Sequence, residues 1–576
     1  MITVINSVSA ADNDVIYVNG SSGNDNWDGL TWLTAKLTIK NATATVNDGG
    51  TVYIADGTYT GDENTNITLD KNVTFIGEHQ NQTILNGTDT NRLFVIENGA
   101  TVSLINMTLA NSYIDESMGA AVFNLGNLTV SGCTFTANMA EYGSAIYNAH
   151  TLYVDNSIFN GNLGLSISSI FNDAGATAQV RNSVFSDNGV DGDAGAIGNN
   201  GDLTLTGCTF TSNSAASAGA IMSTGTMNIT GCTFTGNKAN YGMGGAILNT
   251  GLMTINDSTF TSNTANNDGG AGGAIINDGG TLNIKNTTFT SNTADLSGGA
   301  IYNNGPLNIT DSVFSSNSAL AGGALVNRGN SIITNTIFNS NHAQDGGAIV
   351  NNQNMTITSS TFTGNQADML GGAIVNRRNL TMHFSRLVGN TPVDIYNSEA
   401  TLDAEYNWWG TNFTGTDPVT AGRVSGATIS RWLVLSLNPD PATINSKGTS
   451  TVTVDLLHDQ LGNYYDPAYG HVPDGILVNL TGTLGSLNPT QLSLTSGRAT
   501  SLFTASGVGS AVITATLDNQ TSSTRITINA AGENSTNPTV NAATTVGMQK
   551  TGTSPVGLIL ALLSIFGGAV LGRRKL

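Results

Sequence analysis

Between about residue 120 and residue 390, short apolar and polar runs return at a fixed interval. Phenylalanine stands at Phe135, Phe159, Phe185, Phe210, Phe234, Phe260, Phe289, Phe314, Phe338 and Phe362. Three residues later comes asparagine each time, at Asn138, Asn162, Asn188, Asn213, Asn237, Asn263, Asn292, Asn317, Asn341 and Asn365. Leu387 and Asn390 fill the two places in an eleventh unit, so the 252 residues from Phe135 to Leu387 hold ten intervals, a period near 25. Further apolar positions precede nearly every phenylalanine by seven and five residues, as at Leu128/Val130, Leu203/Leu205, Leu282/Ile284 and Leu307/Ile309. A Gly-Ala-Ile-x-Asn block follows it, as at Gly245 to Asn249, Gly299 to Asn303 and Gly347 to Asn351.

Runs that alternate with period two, broken by Gly and Asn and too short for an amphipathic helix, read as strands. One unit is a strip with a single apolar face, stable only when its neighbours bury it. The pattern therefore predicts an all-β chain built on a right-handed parallel β-helix, each unit forming one coil of three short strands and three turns. Coils stacked about 4.8 Å apart place the phenylalanines in an inward column near the offset-stacking distance. Burying each is worth roughly 1.5–3 kcal/mol. The asparagines are expected to form a ladder at strand ends and to take the left-handed backbone of tight corners, as is the Gly before Ala-Ile. Cys208 and Cys232 stand two residues before their phenylalanines, where most other units carry Ser or Thr, and read as small buried side chains in adjacent coils. With Cys133 they are too few for a disulfide framework.

Less regular coils continue the pattern upstream at Val52-Tyr53-Ile54, Val73 to Ile76, Leu93 to Ile96 and Val102-Ser103-Leu104. Residues 11–50 read as an N-terminal cap with a short helix over 35–46, because an open β-helix end exposes a sheet edge. The β-helix is assigned to 51–412, closed by Trp408 and Trp409 in Tyr406-Asn407-Trp408-Trp409-Gly410. About 14 coils make a rod of roughly 65–70 Å. Over 431–529, runs such as Val452/Val454/Leu456, Ile476/Val478/Leu480 and Ile526/Ile528 predict a β-sandwich. The Asn/Thr/Ser-rich stretch 530–555 reads as a flexible stalk. Residues 556–572 hold 17 uncharged, mainly apolar positions followed by Arg573-Arg574-Lys575-Leu576. That pattern predicts a single transmembrane anchor with a basic cytoplasmic tail at 573–576. Val8-Ser9-Ala10 resembles the end of a signal-peptide cleavage site, so 1–10 reads as its remnant and the bulk of the chain as extracellular.

Composition sharpens this picture. With 20 Lys and Arg against 40 Asp and Glu, the net charge of −20 argues against nucleic acid as a partner. Only 10% of residues are charged while 39% are hydrophobic at regular intervals, which speaks for order. A β-helix can carry polysaccharide lyases and glycoside hydrolases, which need convergent carboxylates or a carboxylate–base cluster. Here Asp187, Asp193, Asp268, Asp295, Asp345 and Asp368 fall at shifting repeat positions, and Arg328 and Arg377 share one position two coils apart. The six histidines show no metal spacing. No catalytic residue or cofactor is assigned. Asn24, Asn26 and Asp28 make the first half of a calcium loop, but Ala35 stands where the bidentate Glu belongs, and a polar turn is the better reading. Asn-x-Ser/Thr triplets at Asn66, Asn106, Asn127, Asn228, Asn308 and Asn412 are candidate glycan acceptors.

The Phe-x-x-Asn and Gly-Gly-Ala signatures resemble the repeats of chlamydial polymorphic outer-membrane proteins. The wider layout is similar to adhesin-like surface proteins of methanogenic archaea. The features that carry this are Ile16-Tyr17-Val18, Gly50 to Tyr59, the Asn407-Trp408-Trp409-Gly410 close and the Gly-rich anchor ending in Arg-Arg-Lys. Gly507 to Ala515 gives 431–529 a resemblance to invasin-type Ig-like domains. These resemblances imply a cell-surface protein that binds glycans or proteins of other cells and is held by the membrane. A polysaccharide lyase or glycoside hydrolase is the alternative, and a passive envelope component the third. The anchor reading predicts that ending the chain after Ser554 releases it to the medium; fractionation that finds the truncated form still on membranes would refute the anchor.

Overall fold

The computed structural model describes residues 13–531 apart from 116, 168 and 268. The proposed signal remnant, the stalk from 532, the anchor at 556–572 and the basic tail lie outside the described residues. Among the described residues no helix is long and apolar enough to cross a membrane.

The repeats wind into a parallel β-solenoid with four sheets of 16, 14, 10 and 15 strands. The unit from Leu252 shows the path. Strand Leu252–Asn256 lies in the first sheet, Thr259–Thr261 in the second, Thr264–Ala265 in the third and Ile275–Asn277 in the fourth. The coil of three strands expected from the sequence is thus a coil of four in much of the stack. The missed strand follows the ladder asparagine and is often two residues long, with one inward alanine such as Ala239, Ala265 or Ala294. Two residues show no alternation to read.

Register is strict. Phe135 pairs with Phe159 and so on through Phe338 with Phe362, and Leu387 closes the row. All ten rings have no exposed surface. Neighbouring centroids lie 4.6–4.9 Å apart with interplanar angles of 1–9°. Ring separation equals strand separation, so pairing and stacking reinforce each other.

The asparagines sit at the next corner, fully buried from Asn138 to Asn365. Asn237 shows their bonding: Nδ2 donates to Asn263 Oδ1 at 2.9 Å and to the Phe210 carbonyl at 3.0 Å, and the backbone N–H donates to the same Oδ1 at 3.0 Å. Both amide protons and the oxygen are used, which removes the cost of burying the group. These asparagines do not take the left-handed conformation expected of them. The residue before each does, as at Ser212 (φ 54°), Ser262 (φ 54°) and Gly236 (φ 62°), leaving the asparagine free to aim its side chain inward. In the Gly-Gly-Ala block the first glycine makes the left-handed turn, as at Gly298 (φ 64°). The second, Gly299, is packed so closely that a Cβ would lie 2.1 Å from the Gly323 carbonyl oxygen. The asparagine ending that block forms a second row, Asn249 to Asn277 at 2.7 Å and Asn277 to Asn303 at 2.7 Å among them. Cys208 and Cys232 are free and buried in adjacent coils, the Cys208 amide donating to Cys232 Sγ at 3.4 Å.

The ends differ from the sequence reading. Val15–Val18, inside the stretch read as a cap, already pairs with Gly50–Ile54 as the first strand of the first sheet. The short helix is Ile39–Thr45, its Ile39 and Ala42 buried in the solenoid core. At the other end Val424–Ser425 pairs with Ile395–Asn397, carrying the solenoid past residue 412. Trp409 enters the solenoid core, but Trp408 enters the core of the following region, so the two do not cover the last coil together.

That region has two sheets around one core: a four-stranded sheet containing Leu433–Asp440 and Thr449–Asp459, and a five-stranded sheet containing Gly509–Leu517 and Gln520–Asn529. It joins the solenoid in one compact unit. Asp518 is the junction: Trp408 Nε1 donates to it at 2.6 Å and Arg386 Nε at 3.1 Å. Ser359 Oγ also donates to the His471 carbonyl at 2.7 Å.

Removing one ring from the column leaves a hole that neighbours held by backbone pairing cannot close. Phe260→Ala is expected to cost about 3–5 kcal/mol in chemical denaturation; a loss below about 1 kcal/mol would contradict the column's role.

Candidate functional site

With the interior filled by phenylalanine, aliphatic side chains and asparagine, what the solenoid offers a partner is its outer rows. On the second sheet the residues flanking each phenylalanine point outward. Four successive coils carry Thr209/Thr211, Thr233/Thr235, Thr259/Thr261 and Thr288/Thr290, paired in register. All eight are partly or fully exposed. The first sheet adds a row of Thr204, Asn228, Thr254, Asn283 and Asn308. Within it Asn308 Nδ2 donates to Asn283 Oδ1 at 2.8 Å. A parallel sheet with alternating residues and β-branched threonine favours such rows.

Further along the second sheet this threonine row changes to Val313, Ile337, Thr361 and Arg386. Segment 473–477 and Leu517–Asp518 of the two-sheet region face it, enclosing a cleft of about 420 Å³. Asp311, Asn335 and Asp474 also line it. Ile337 is 42% and Leu477 55% exposed, so the cleft mixes apolar floor with polar edges. Its carboxylates are engaged: Asp311 accepts from Asn335 Nδ2 at 2.7 Å, Asp474 from the Ser496 amide at 2.7 Å, and Asp518 from Arg386 and Trp408.

The acids and bases picked out along the sequence do not converge. Asp193 accepts from Ser166 Oγ, Asp295 from the Asn267 amide, and Asp368 lies 3.2 Å from His342. The closest partner of Asp187 is Asn160 Nδ2 at 3.5 Å, and Asp268 lies outside the described residues. Arg377 pairs with Asp345 at 3.6 Å, while Arg328 stacks over the Tyr302 ring at 5.4 Å, so the two arginines have separate partners. Asn24 Oδ1 accepts from the Asn26 amide and Asp28 Oδ1 from the Leu30 amide, the bonding of a polar turn. Asn228 and Asn308 are exposed within first-sheet strands, whereas Asn106 uses Nδ2 on the Gly77 and Glu78 carbonyls.

Two shifted carboxylates are structural. Burial pushes Asp394 up to about 6 against the pull of Arg423 and Asn390, but it has no exposed surface and terminates the asparagine row. Burial also raises Asp459, yet hydrogen bonds from Asn463, Tyr465 and Arg431 prevail and hold it well below the usual carboxylate range.

Sequence reasoning missed two groupings. An apolar seam runs outside the coil, where Tyr147, Phe171, Leu248 and Ile276 pack against Ile167, Ala194, Ala218 and Ala271. The other brings Asp56, Glu78 and His79 together, with donor atoms all within 4.8 Å of one another. The last two stand more than 20 residues after Asp56, on the matching turn of the next coil, so only a repeat-aligned reading places them side by side.

The Chlamydia polymorphic membrane protein repeat family model matches residues 286–304 and 359–377. Each stretch holds one Phe-x-x-Asn pair and its Gly-Gly-Ala block. No curated protein matches the chain. Among solved structures it is similar to the catalytic unit of a thermostable GH87 alpha-1,3-glucanase from Streptomyces thermodiastaticus strain HF3-3. That similarity has 14% identity, covers 68% of this chain and 66% of that one, and has a TM-score of 0.35. A rhamnogalacturonan lyase matches at 13% identity over 72% of this chain and 96% of that one, TM-score 0.28. A tailspike protein double mutant of E. coli bacteriophage HK620 matches at 13% over 83% and 86%, TM-score 0.24. Likeness this distant says nothing about activity.

Because its folded-state acidity is strengthened, Asp459 contributes stability that is present above the unfolded carboxylate value near 4 and is lost as pH falls below it. Asp459→Asn should therefore destabilise the two-sheet region at pH 7 and lessen its loss of stability between about pH 5 and pH 2. Melting curves across that range, with parallel slopes for both proteins, would contradict this.

Proposed function

We propose that the chain is a cell-surface, adhesin-like protein that binds glycans or other cells through the outer polar rows of its solenoid. The observation that carries this is the in-register block of eight threonines on four successive coils, continued by Thr/Asn rows on the neighbouring sheet. Hydroxyl and amide groups repeated at the strand spacing make many weak, equivalent contacts, and many copies on one cell turn them into firm attachment. In this reading 431–529 is an Ig-like spacer, 530–555 a stalk and 556–572 the membrane anchor.

The second reading, a polysaccharide-active enzyme, is favoured by the junction cleft with Asp311, Asp474 and Arg386 at its walls. Against it, the cleft's carboxylates are held in local hydrogen bonds. The one described carboxylate raised toward neutrality, Asp394, is sealed from any substrate. General acid–base chemistry needs a raised acid within reach of the scissile bond.

The two readings part in one experiment. A soluble fragment of residues 11–550 is incubated with pectins, other uronic polymers and neutral glycans, with and without Ca²⁺, and with whole cells. Saturable binding without products is expected, and Thr233→Lys with Thr259→Lys should weaken it. Depolymerisation at enzyme-like rates would overturn the adhesin reading.

A further inference from the structure

We propose that Asp56, Glu78 and His79 form a site for one divalent cation of the zinc class, clamping two neighbouring coils near the start of the solenoid. Asp56 lies in the turn between strands Gly50–Ile54 and Gly57–Tyr59. Glu78 and His79 follow strand Val73–Gly77 of the next coil. The strands before the two turns pair in register, and the Glu78 amide donates to the Ile54 carbonyl at 2.9 Å, so the backbone fixes their relative position. His79 Nδ1 lies 2.8 Å from Asp56 Oδ2, and Glu78 Oε2 accepts from the Asp56 amide at 3.2 Å.

Charge supplies an independent argument. Two carboxylates stand within metal-ligand reach of one another, and among the described residues neither pairs with a Lys or Arg. Lys71 and Arg92 are directed at backbone carbonyls instead, those of Val46 and of Met118 and Gly119. Among the described residues the only basic side chain paired with the carboxylates is the imidazole, itself a metal ligand. The His79 side chain is 58% exposed, so an ion enters from solvent without rearranging the fold.

The donor set selects the class. Ca²⁺ takes six to eight oxygens and Mg²⁺ a near-ideal octahedron of oxygens, whereas one imidazole with two carboxylates suits zinc and its first-row neighbours. Zinc bonds of about 2.0–2.2 Å set donor atoms roughly 3.5 Å apart, within reach of small side-chain rotations here. Three protein ligands leave a tetrahedral position open to water or to a partner's oxygen. None of this depends on the adhesin reading.

The test is calorimetric titration of the chelator-treated full chain with ZnCl₂, with CaCl₂ in a parallel arm and thermal melting as a second readout. One Zn²⁺ per chain and a higher melting temperature are expected, with no saturable Ca²⁺ binding. Glu78→Gln and His79→Ala should each weaken Zn²⁺ binding by at least about tenfold, the scale seen even for outer-shell partners of a metal. His342→Ala should leave it unchanged. Unchanged affinity in either site variant, a loss in His342→Ala, or Ca²⁺ binding that matches Zn²⁺ would overturn the proposal. If His79→Ala fails to fold, Glu78→Gln decides, since the substituted amide keeps an oxygen that can accept from the Asp56 N–H.

Discussion

Parallel strands pair at about 4.8 Å, and every side chain inside the solenoid has to meet its own counterpart at that distance. Few groups can. A benzene ring stacks on the next at 4.6–4.9 Å, a carboxamide reaches the next carboxamide at about 2.9 Å between heteroatoms, and a second Gly-Gly-Ala glycine approaches the neighbouring carbonyl. The sequence period follows from this filter. Where the filter is met, backbone pairing, ring stacking and amide bonding act at the same spacing, and each coil is held in three ways by the next.

The same filter explains what was legible along the chain. Phenylalanine and asparagine recur because their contacts admit little else, and their spacing could be read without alignment to any other protein. The third sheet was not legible, since strands such as Thr264–Ala265 carry a single inward alanine. Nor was the corner chemistry. Asparagine is the residue usually invoked for left-handed turns, but here its side chain is spent on the ladder, and Ser212 or Gly236 turns the corner before it. Trp408 and Trp409 look equivalent in sequence, yet adjacent residues on an extended chain face opposite ways, and each serves a different core. The Asp56, Glu78 and His79 grouping has no local signature, because its spacing is that of a coil rather than of a turn or helix.

Outward positions escape the filter. Nothing in the stack dictates Thr233 or Thr259 beyond compatibility with a strand, so the outer rows are free to carry whatever recognition the molecule performs. The core contributes rigidity: rows held by pairing and stacking on the other side of the same strands lose little freedom when they meet a partner, which lowers the entropy cost of attachment. The two-sheet region adds a different kind of surface, a concave one, where Asp518 ties it to Arg386 and Trp408.

The buried asparagines have one more property. In the row from Asn138 every Nδ2 gives one proton to the asparagine Oδ1 of the later coil, and no bond in the row runs the other way. The second row runs the same way, Asn277 donating to Asn303 and Asn376 to Asn397. The amide dipoles therefore add rather than cancel, and a chain of polarised hydrogen bonds strengthens its members. The interior carries an electrical arrow from the coil of Asn138 to that of Asn390. The donor end of the first row meets the Asp394 carboxylate, itself bonded to Arg423, so that row ends on an anion rather than on another asparagine. The amide row is a one-way structure with a built-in stop.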